Sequence, residues 1–499
     1  MPTATLLGAS IVTLLLFKSL YGKSSLPLPP GPPGLPIIGN ALHLPIERQW
    51  VTFAAWAKIY GDVMHVSALG QSIIILSSPQ AVTELLERRS AIYSDRPSLI
   101  FGGELVGYKD TLPMTCYGER HREHRKLMAE VLGPRAVGQW RAMEERHMHG
   151  FLRNILGTPE EFLHHVRRVV ASIVLEISHG YKLEEGNDPL MSLAEQAVTD
   201  FAEAVVPGRY LCDTIPICKW PVILRYIPAW TGIGFMQDAK RFYKTMVAIR
   251  DEPYDMIKRK MAEGTAKPSF TGSLIERDAN PSIEQELIYK WTSGGLYTAG
   301  ADTSVSSISS FFLALSSYTD VQKRAQEELD RIVGRDRLPS LEDRPNLPYL
   351  EAIVQELHRW NPVGPLALPH CVQQDDVYRG LQIPGGAIVM ANSWAILHDE
   401  ALYPSPDKFM PERFLGDVKD LNPDPRRFAF GYGRRACPGR DLADDTLFIC
   451  AAMTLAAFDL QRDDTAVEYT PALICHPVPF RCSITPRSRE AQALVTEGK

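Results

Sequence analysis

Cysteine is scarce in this chain, eight in 499 residues, and no pair is spaced Cys-x-x-Cys. That excludes a disulfide scaffold, a zinc ribbon and a thioredoxin-like redox motif. Charge of one sign is not in excess either, since 53 Lys+Arg against 59 Asp+Glu leave a net charge of −6. So small an imbalance argues against a strongly basic nucleic-acid binder and against an acidic disordered tail. The single Asn-x-Ser/Thr match, Asn280-Pro-Ser, is disqualified as a glycosylation acceptor by its proline. No internal repeat occurs, and no low-complexity stretch follows residue 40. What remains, with 45% hydrophobic and 22% charged residues, is the composition of a large globular protein with a substantial core.

The only long uncharged run lies at the start. Residues 3–17 carry no charge, and apolar character continues past Lys18 through Tyr21. A spanning helix needs about 20 apolar residues, which this run supplies if Lys18 snorkels to the interface. The rival is a cleaved signal peptide. No basic residue precedes the run while Lys18 and Lys23 follow it, which places the rest of the chain on the cytosolic side. Cysteine usage suits the same reducing compartment. Residues 1–23 are therefore expected to form a single-pass membrane anchor. Residues 24–40, with PLPPGPPGLP at 27–36, follow as a stiff, extended, proline-rich spacer.

Residues 41–499 are expected to form one mainly α domain with small β-sheets. Apolar residues recur at three-to-four spacing over 138–156, 159–183, 191–206, 236–262, 283–317 and 319–334. Two β-rich runs flank Leu69-Gly70-Gln71 within 61–78, and further β-rich clusters lie at 368–391 and 466–486. Tyr378-Arg-Gly380 and Pro384-Gly-Gly386 mark turns in the second cluster.

The most informative run is Phe430-Gly-Tyr-Gly-Arg-Arg-Ala-Cys437-Pro-Gly439. Its glycines permit tight turns, and a helix over 440–458 puts Cys437 at a helix N-terminus. The helix dipole, with Arg434, Arg435 and Arg440 nearby, is expected to lower the thiol pKa. A thiolate there would serve as nucleophile, redox sensor or metal ligand; a nucleophile would want a positioned His/Asn pair, and none is recognisable. The spacing FxxGxRxCxG resembles the haem-binding loop of the cytochrome P450 family, and the resemblance extends over nearly the whole chain. It implies the cytochrome P450 fold after an N-terminal transmembrane helix, haem b with Cys437 as axial iron ligand, Phe430 packed near the sulfur, and Arg435 on a haem propionate. The thiolate would push electron density onto iron.

Other motifs follow in the family's order. Glu356 and Arg359, spaced i,i+3 on helix 349–360, would join Arg413 of Pro411-Glu-Arg-Phe414 in a network supporting the haem loop. A bare i,i+3 pair is weak evidence alone. In Ala299-Gly-Ala-Asp-Thr-Ser304, Thr303 would hold water and the oxygen being activated, and Asp302 would help relay protons; without the resemblance, Gly300 would mark a mere helix kink. Arg125 fits the family's propionate-binding arginine. His121 replaces the expected tryptophan, and His370 aligns with another propionate donor. The remaining histidine pairs, His147/His149 and His164/His165, are expected to be surface residues, and the other seven cysteines mostly buried thiols.

The resemblance places substrate among Leu99, Ile100, Phe101, Leu105, Phe201, Val205, Val206, Val363, Leu366, Ala367 and Val478, an apolar set that suits a lipophilic small molecule. Membrane-bound fungal enzymes of secondary metabolism, often acting on terpenoids, are the nearest kind. With no flavin or nicotinamide domain in the chain, electrons from NADPH would arrive through cytochrome P450 reductase, docking by complementary charge on Arg122, Arg125, Lys126, Arg434 and Arg440. The expected location is the endoplasmic reticulum membrane with the catalytic domain cytosolic, and the expected reaction a monooxygenation using O2. A thiolate-haem isomerase or dehydratase, and a non-catalytic haem protein, are the alternatives.

Overall fold

The computed structural model describes residues 26–206, 209–214, 234–416, 422–462 and 467–497. The anchor expected at 1–23 lies outside them, and so does Cys218. Among the described residues no helix is long and apolar enough to cross a membrane.

Ten helices carry the account: α1 (Gln49–Tyr60), α2 (Glu119–Leu132), α3 (Arg141–Gly157), α4 (Phe162–His179), α5 (Pro189–Ala204), α6 (Gly234–Ala262), α7 (Ile283–Ser317), α8 (Thr319–Ile332), α9 (Pro348–Trp360) and α10 (Arg440–Ala457). α3 to α8 match the six segments of helical periodicity to within a few residues, and α9 and α10 fall on the expected helices 349–360 and 440–458. α1 and α2 are not among the periodic segments. The centre is α7, 35 residues long and so about 50 Å end to end. Ser282 caps it, its hydroxyl accepting the Gln285 N–H at 3.1 Å. A helix this buried tolerates threonines because their hydroxyls bond back to carbonyls one turn earlier: Thr292 to Ile288 at 2.6 Å, Thr298 to Gly294 at 3.0 Å, Thr303 to Ala299 at 2.8 Å. Around α7 packs the largest apolar cluster, drawn from α2, α3, α4, α9 and α10 among others.

Among the described residues eight short strands form three sheets: β1 (Val63–Ala68), β2 (Gln71–Leu76), β3 (His370–Cys371), β4 (Asp376–Tyr378), β5 (Leu381–Ile383), β6 (Ile388–Ala391), β7 (Phe458–Gln461) and β8 (Ser483–Pro486). The four-stranded sheet runs β1-β2-β6-β3, with β2 and β6 parallel. Where its two middle strands pair, residues 73–76 against 388–391, they are apolar throughout because both faces are covered. Ile74, Leu76, Val389 and Ala391 face one cluster, and Ile73, Ile75, Ile388 and Met390 another. The β1–β2 turn puts Leu69 at φ 50 and Gly70 at φ 86, and the β4–β5 turn puts Arg379 at φ 51 and Gly380 at φ 77. Both pairs have the two positive φ values that match a hairpin's twist.

Within the proline-rich segment residues 27–34 form no helix or strand and residues 35–40 turn, and the segment is bound to the globule. Pro27 accepts an N–H from Gln382 at 2.8 Å and Pro30 one from His65 at 3.0 Å. Gly31 lies so close to β1 that a Cβ would fall 1.9 Å from the His65 carbonyl oxygen. Residues 26–40 therefore work as part of the sheet region, not as a free spacer. The third β cluster also differs: β8 pairs with β7, which begins where α10 ends, before residue 466. The periodicity of α10 runs straight into β7 without a turn residue between them, which hides the strand.

Candidate active site

Cys437 lies three residues before the start of α10, at the end of a loop whose path the glycines set. Gly431 (φ 75) and Gly433 (φ 54) adopt backbone that favours glycine. A Cβ on Gly433 would fall 2.1 Å from the Leu86 carbonyl oxygen. The loop closes on itself through the Cys437 N–H, which donates to the Phe430 carbonyl at 2.7 Å. Phe430 sits edge-on to His358, ring centroids 5.0 Å apart.

The thiol itself departs from expectation. Cys437 is exposed in area, yet protein encloses it and the desolvation pushes its pKa up. The concave wall leaves the sulfur some open area while the surrounding protein still desolvates it. The Gly439 N–H, Arg125 and Arg440 pull the pKa down but do not win. The expected lowering by Arg434 and Arg435 fails because both cations are turned elsewhere. Arg434 bonds the Tyr117 hydroxyl, and Arg435 donates to the carbonyls of Ser94 (2.7 Å), Leu112 (3.3 Å) and Thr115 (2.7 Å). The protein alone does not make this sulfur anionic, whereas a coordinating metal deprotonates a thiol outright.

Beside the thiol the structure gathers cations. Arg125 donates to the Ala436 carbonyl at 2.6 Å. His121 is buried with Nδ1 unpartnered, and burial followed by repulsion from Arg435, Arg125 and Arg96 lowers its pKa to about 3. His370, buried on β3, bonds the Tyr93 carbonyl at 2.7 Å, and its pKa falls to about 3 from burial, then Arg96. Arg96, which no motif announced, is buried and donates to the carbonyls of Pro113, Leu368 and Pro369 at 2.6–2.7 Å. Burial pulls the Arg435 pKa down to about 10, against the upward pull of Asp95. Among the described residues none of Arg96, Arg125 and Arg435 makes an ion pair. A guanidinium has five N–H donors, so Arg96 and Arg435, each donating three bonds to backbone carbonyls, keep donors in reserve. Converging positive groups with spare N–H donors, one orphaned imidazole nitrogen and a nearby thiol suit an anionic, metal-bearing group.

The expected buried network is formed. Arg359 grips Glu356 through two bonds of 2.7 and 2.8 Å, and Arg413 Nε lies 3.1 Å from the same carboxylate. Glu356 and Arg359 are wholly buried and Arg413 nearly so. The Met410 N–H adds a third donor to Glu356 at 2.8 Å. Sequence reasoning missed the network between this one and the cysteine loop. Arg344 and Arg426 bind Glu351 and Asp444, and His358 reaches Asp444 at 3.1 Å. These partners lie up to a hundred residues apart, beyond any local spacing signal.

On α7, Asp302 lies 3.1 Å from His476 of the 470–478 loop, a contact the sequence did not suggest. Gly300 is explained by packing: a Cβ there would fall 2.9 Å from Val174 of α4. The apolar residues expected around substrate fall into several groups. Leu99, Ile100, Phe101, Leu105, Phe201 and Val205 share one cluster, with Phe101 stacked on Tyr210. Leu366 packs under the sheet instead, and Val478 is 40% exposed. His147 pairs with Glu176, and His165 is buried against Thr158 rather than at the surface. No cluster of three or more metal-ligating side chains occurs among the described residues. Cys212, Cys450, Cys475 and Cys482 are buried, Cys371 is partly so and Cys116 is exposed.

Such a site defines a class: mainly helical proteins that hold an anionic cofactor through sulfur. The chain belongs to the cytochrome P450 family, whose model, described as Cytochrome P450, matches residues 29–483. Cytochrome P450 monooxygenase 208 of Postia placenta is 42% identical, covering 98% of this chain and 96% of its own length. Cytochrome P450 monooxygenase claR of Ampulloclitocybe clavipes is 41% identical over 99% and 92%. Tryptamine 4-monooxygenase of Psilocybe cyanescens is 37% identical over 93% and 94%. The protein is thus an oxidoreductase of the cytochrome P450 monooxygenase family, for which haem and O2 are implied.

Proposed function

We propose that the protein is a haem-thiolate monooxygenase that inserts oxygen into a lipophilic small molecule, a terpenoid or another secondary-metabolite intermediate. The carrying observation is Cys437 standing beside Arg125, which among the described residues has no carboxylate partner within ion-pair reach. Haem bound there through sulfur supplies the oxygen-activating chemistry. Cys437 would hold its iron; Arg125, Arg435, His121 and His370, with Arg96, would hold its carboxylates; Phe430 would shield the sulfur. Glu356, Arg359 and Arg413 fix α9 against the 404–413 segment and so brace the loop. Thr303, its hydroxyl on the Ala299 carbonyl, and Asp302 would hold and move protons on α7.

Electrons would come from NADPH through a reductase. Arg122, Lys126, Arg434 and Arg440 are exposed near the loop and present the positive face such a partner needs. Arg125 points inward and leaves that set. Residues 1–23 would anchor the enzyme in the endoplasmic reticulum membrane, its domain cytosolic. The apolar cluster around Phe101 favours an apolar substrate, and a relative named for tryptamine makes indoles worth testing beside terpenoids. Incubating the holoprotein with reductase, NADPH, and sesquiterpene and indole panels should give a product heavier by one oxygen atom; turnover without NADPH or O2 would contradict monooxygenation. Thr303→Ala should lower product per NADPH consumed, by up to about a hundredfold, the lower end for lost proton-transfer assistance.

A further inference from the structure

Asp302 has two sides. Inward, its Oδ2 lies 3.1 Å from His476 Nε2. A carboxylate only accepts, so Nε2 carries the hydrogen and donates. That imidazole is held by its own backbone: the His476 N–H donates to Thr470 Oγ1 at 3.0 Å and the Thr470 N–H to the His476 carbonyl at 2.8 Å. The loop is fixed in turn, because the Ser306 hydroxyl donates to the Cys475 carbonyl and the Cys475 N–H to the Val363 carbonyl at 2.9 Å. Outward, the Asp302 side chain lines a small cavity between α4, α5 and α7, roomy enough for water, together with Arg167, Glu195 and Tyr297. Arg167 and Glu195 are half exposed and 3.9 Å apart, so this end meets solvent.

We propose that His476 is a positioning residue that holds the Asp302 carboxyl between this water-accessible cavity and the Thr303 turn. Among the residues lining the cavity, Arg167 is the one cation, and an unheld carboxylate would swing toward it. Held by His476, the Asp302 carboxylate takes a proton from water in the cavity and passes it inward. The hydroxide left in the cavity is reprotonated by a proton from solvent, so neither side chain ends changed. The inference rests on the proton-moving reading of Asp302 given above.

The test needs no substrate. With reductase, NADPH and O2 alone, the holoprotein reduces oxygen either by two electrons (NADPH + H+ + O2 → NADP+ + H2O2) or by four (2 NADPH + 2 H+ + O2 → 2 NADP+ + 2 H2O). Poor proton delivery favours peroxide, read as H2O2 released per NADPH. His476→Ala should raise that ratio about threefold, the scale of one lost hydrogen bond. His476→Gln, whose amide N–H can reach the same oxygen, should restore it. Asp302→Asn should raise it as far as the double variant does. Thermal midpoints should show the same non-additivity, and haem content should match the parent throughout. A ratio raised by Asp302→Asn but unmoved by His476→Ala would overturn the role of His476. A ratio raised equally by His476→Ala and His476→Gln would do the same. A ratio unmoved by Asp302→Asn would instead sink the reading of Asp302.

Discussion

Two charged regions flank the cysteine loop, and they are built on opposite plans. Around Glu356 the charges close on themselves: one carboxylate, two arginines and a backbone N–H leave the buried anion matched. Around Cys437 they stay open: Arg435 faces like charge from Arg96 and Arg125, and burial first, these charges second, keep His121 and His370 in their neutral forms. A closed network holds shape, because removing a member strands a buried charge. An open one stores a demand for an anion that the fold does not supply. The difference separates residues that support the site from residues that would bind within it.

Breaking the closed set should cost most. Glu356→Ala leaves two buried guanidiniums facing each other and should destabilise the fold by about 3–5 kcal/mol, read as a large drop in thermal midpoint and loss of soluble haem protein. Arg413→Ala should likewise reduce haem retention, and full occupancy in that variant would remove the bracing role. The open set should respond differently. Arg125→Leu removes one of several like charges and one bond to Ala436. It should shift the unfolding midpoint little, within the spread of an ordinary substitution, about 0.5–3 kcal/mol, while haem dissociates several-fold faster. Equal loss of stability in both variants would erase the distinction.

Smaller effects come from buried groups outside both sets. Glu144 is fully buried, one oxygen bonded to the Thr446 hydroxyl and the other unpartnered, and burial raises its pKa to about 8. Its native pKa exceeds the unfolded value, so it contributes stability at acid pH that is lost as pH rises toward 8. His179 is the reverse: burial lowers its pKa to about 3, so the unfolded chain binds the extra proton and stability falls as pH drops below about 6.5. Thermal midpoints across pH 4–9 should therefore lose part of their fall between about pH 4.5 and 8 in Glu144→Gln, each group contributing at most about 1.4 kcal/mol per pH unit. An unchanged slope would contradict the neutral carboxyl.

How much of this the sequence disclosed follows from the range of each signal. The helices were legible because α7 or α10 repeats its apolar pattern many times, and the hairpins because Leu69-Gly70 and Arg379-Gly380 concentrate positive φ. Glu356, Arg359 and Arg413 were legible through motif spacing. Arg96, the Asp444 network and His476 were not, since their partners meet only after folding; Arg96 and Leu368 are 272 residues apart. The Cys437 pKa was misjudged for a related reason: adjacency in sequence promised cations to the sulfur, and the fold assigned Arg434 and Arg435 elsewhere.

The central claim is that the sulfur of Cys437 ligates haem iron, and the ferrous carbonyl spectrum tests it most directly. The purified protein, reduced under carbon monoxide, should show the strongly red-shifted Soret band of thiolate ligation, and Cys437→Ser should abolish it. A carbonyl spectrum unaltered by that substitution would contradict the account.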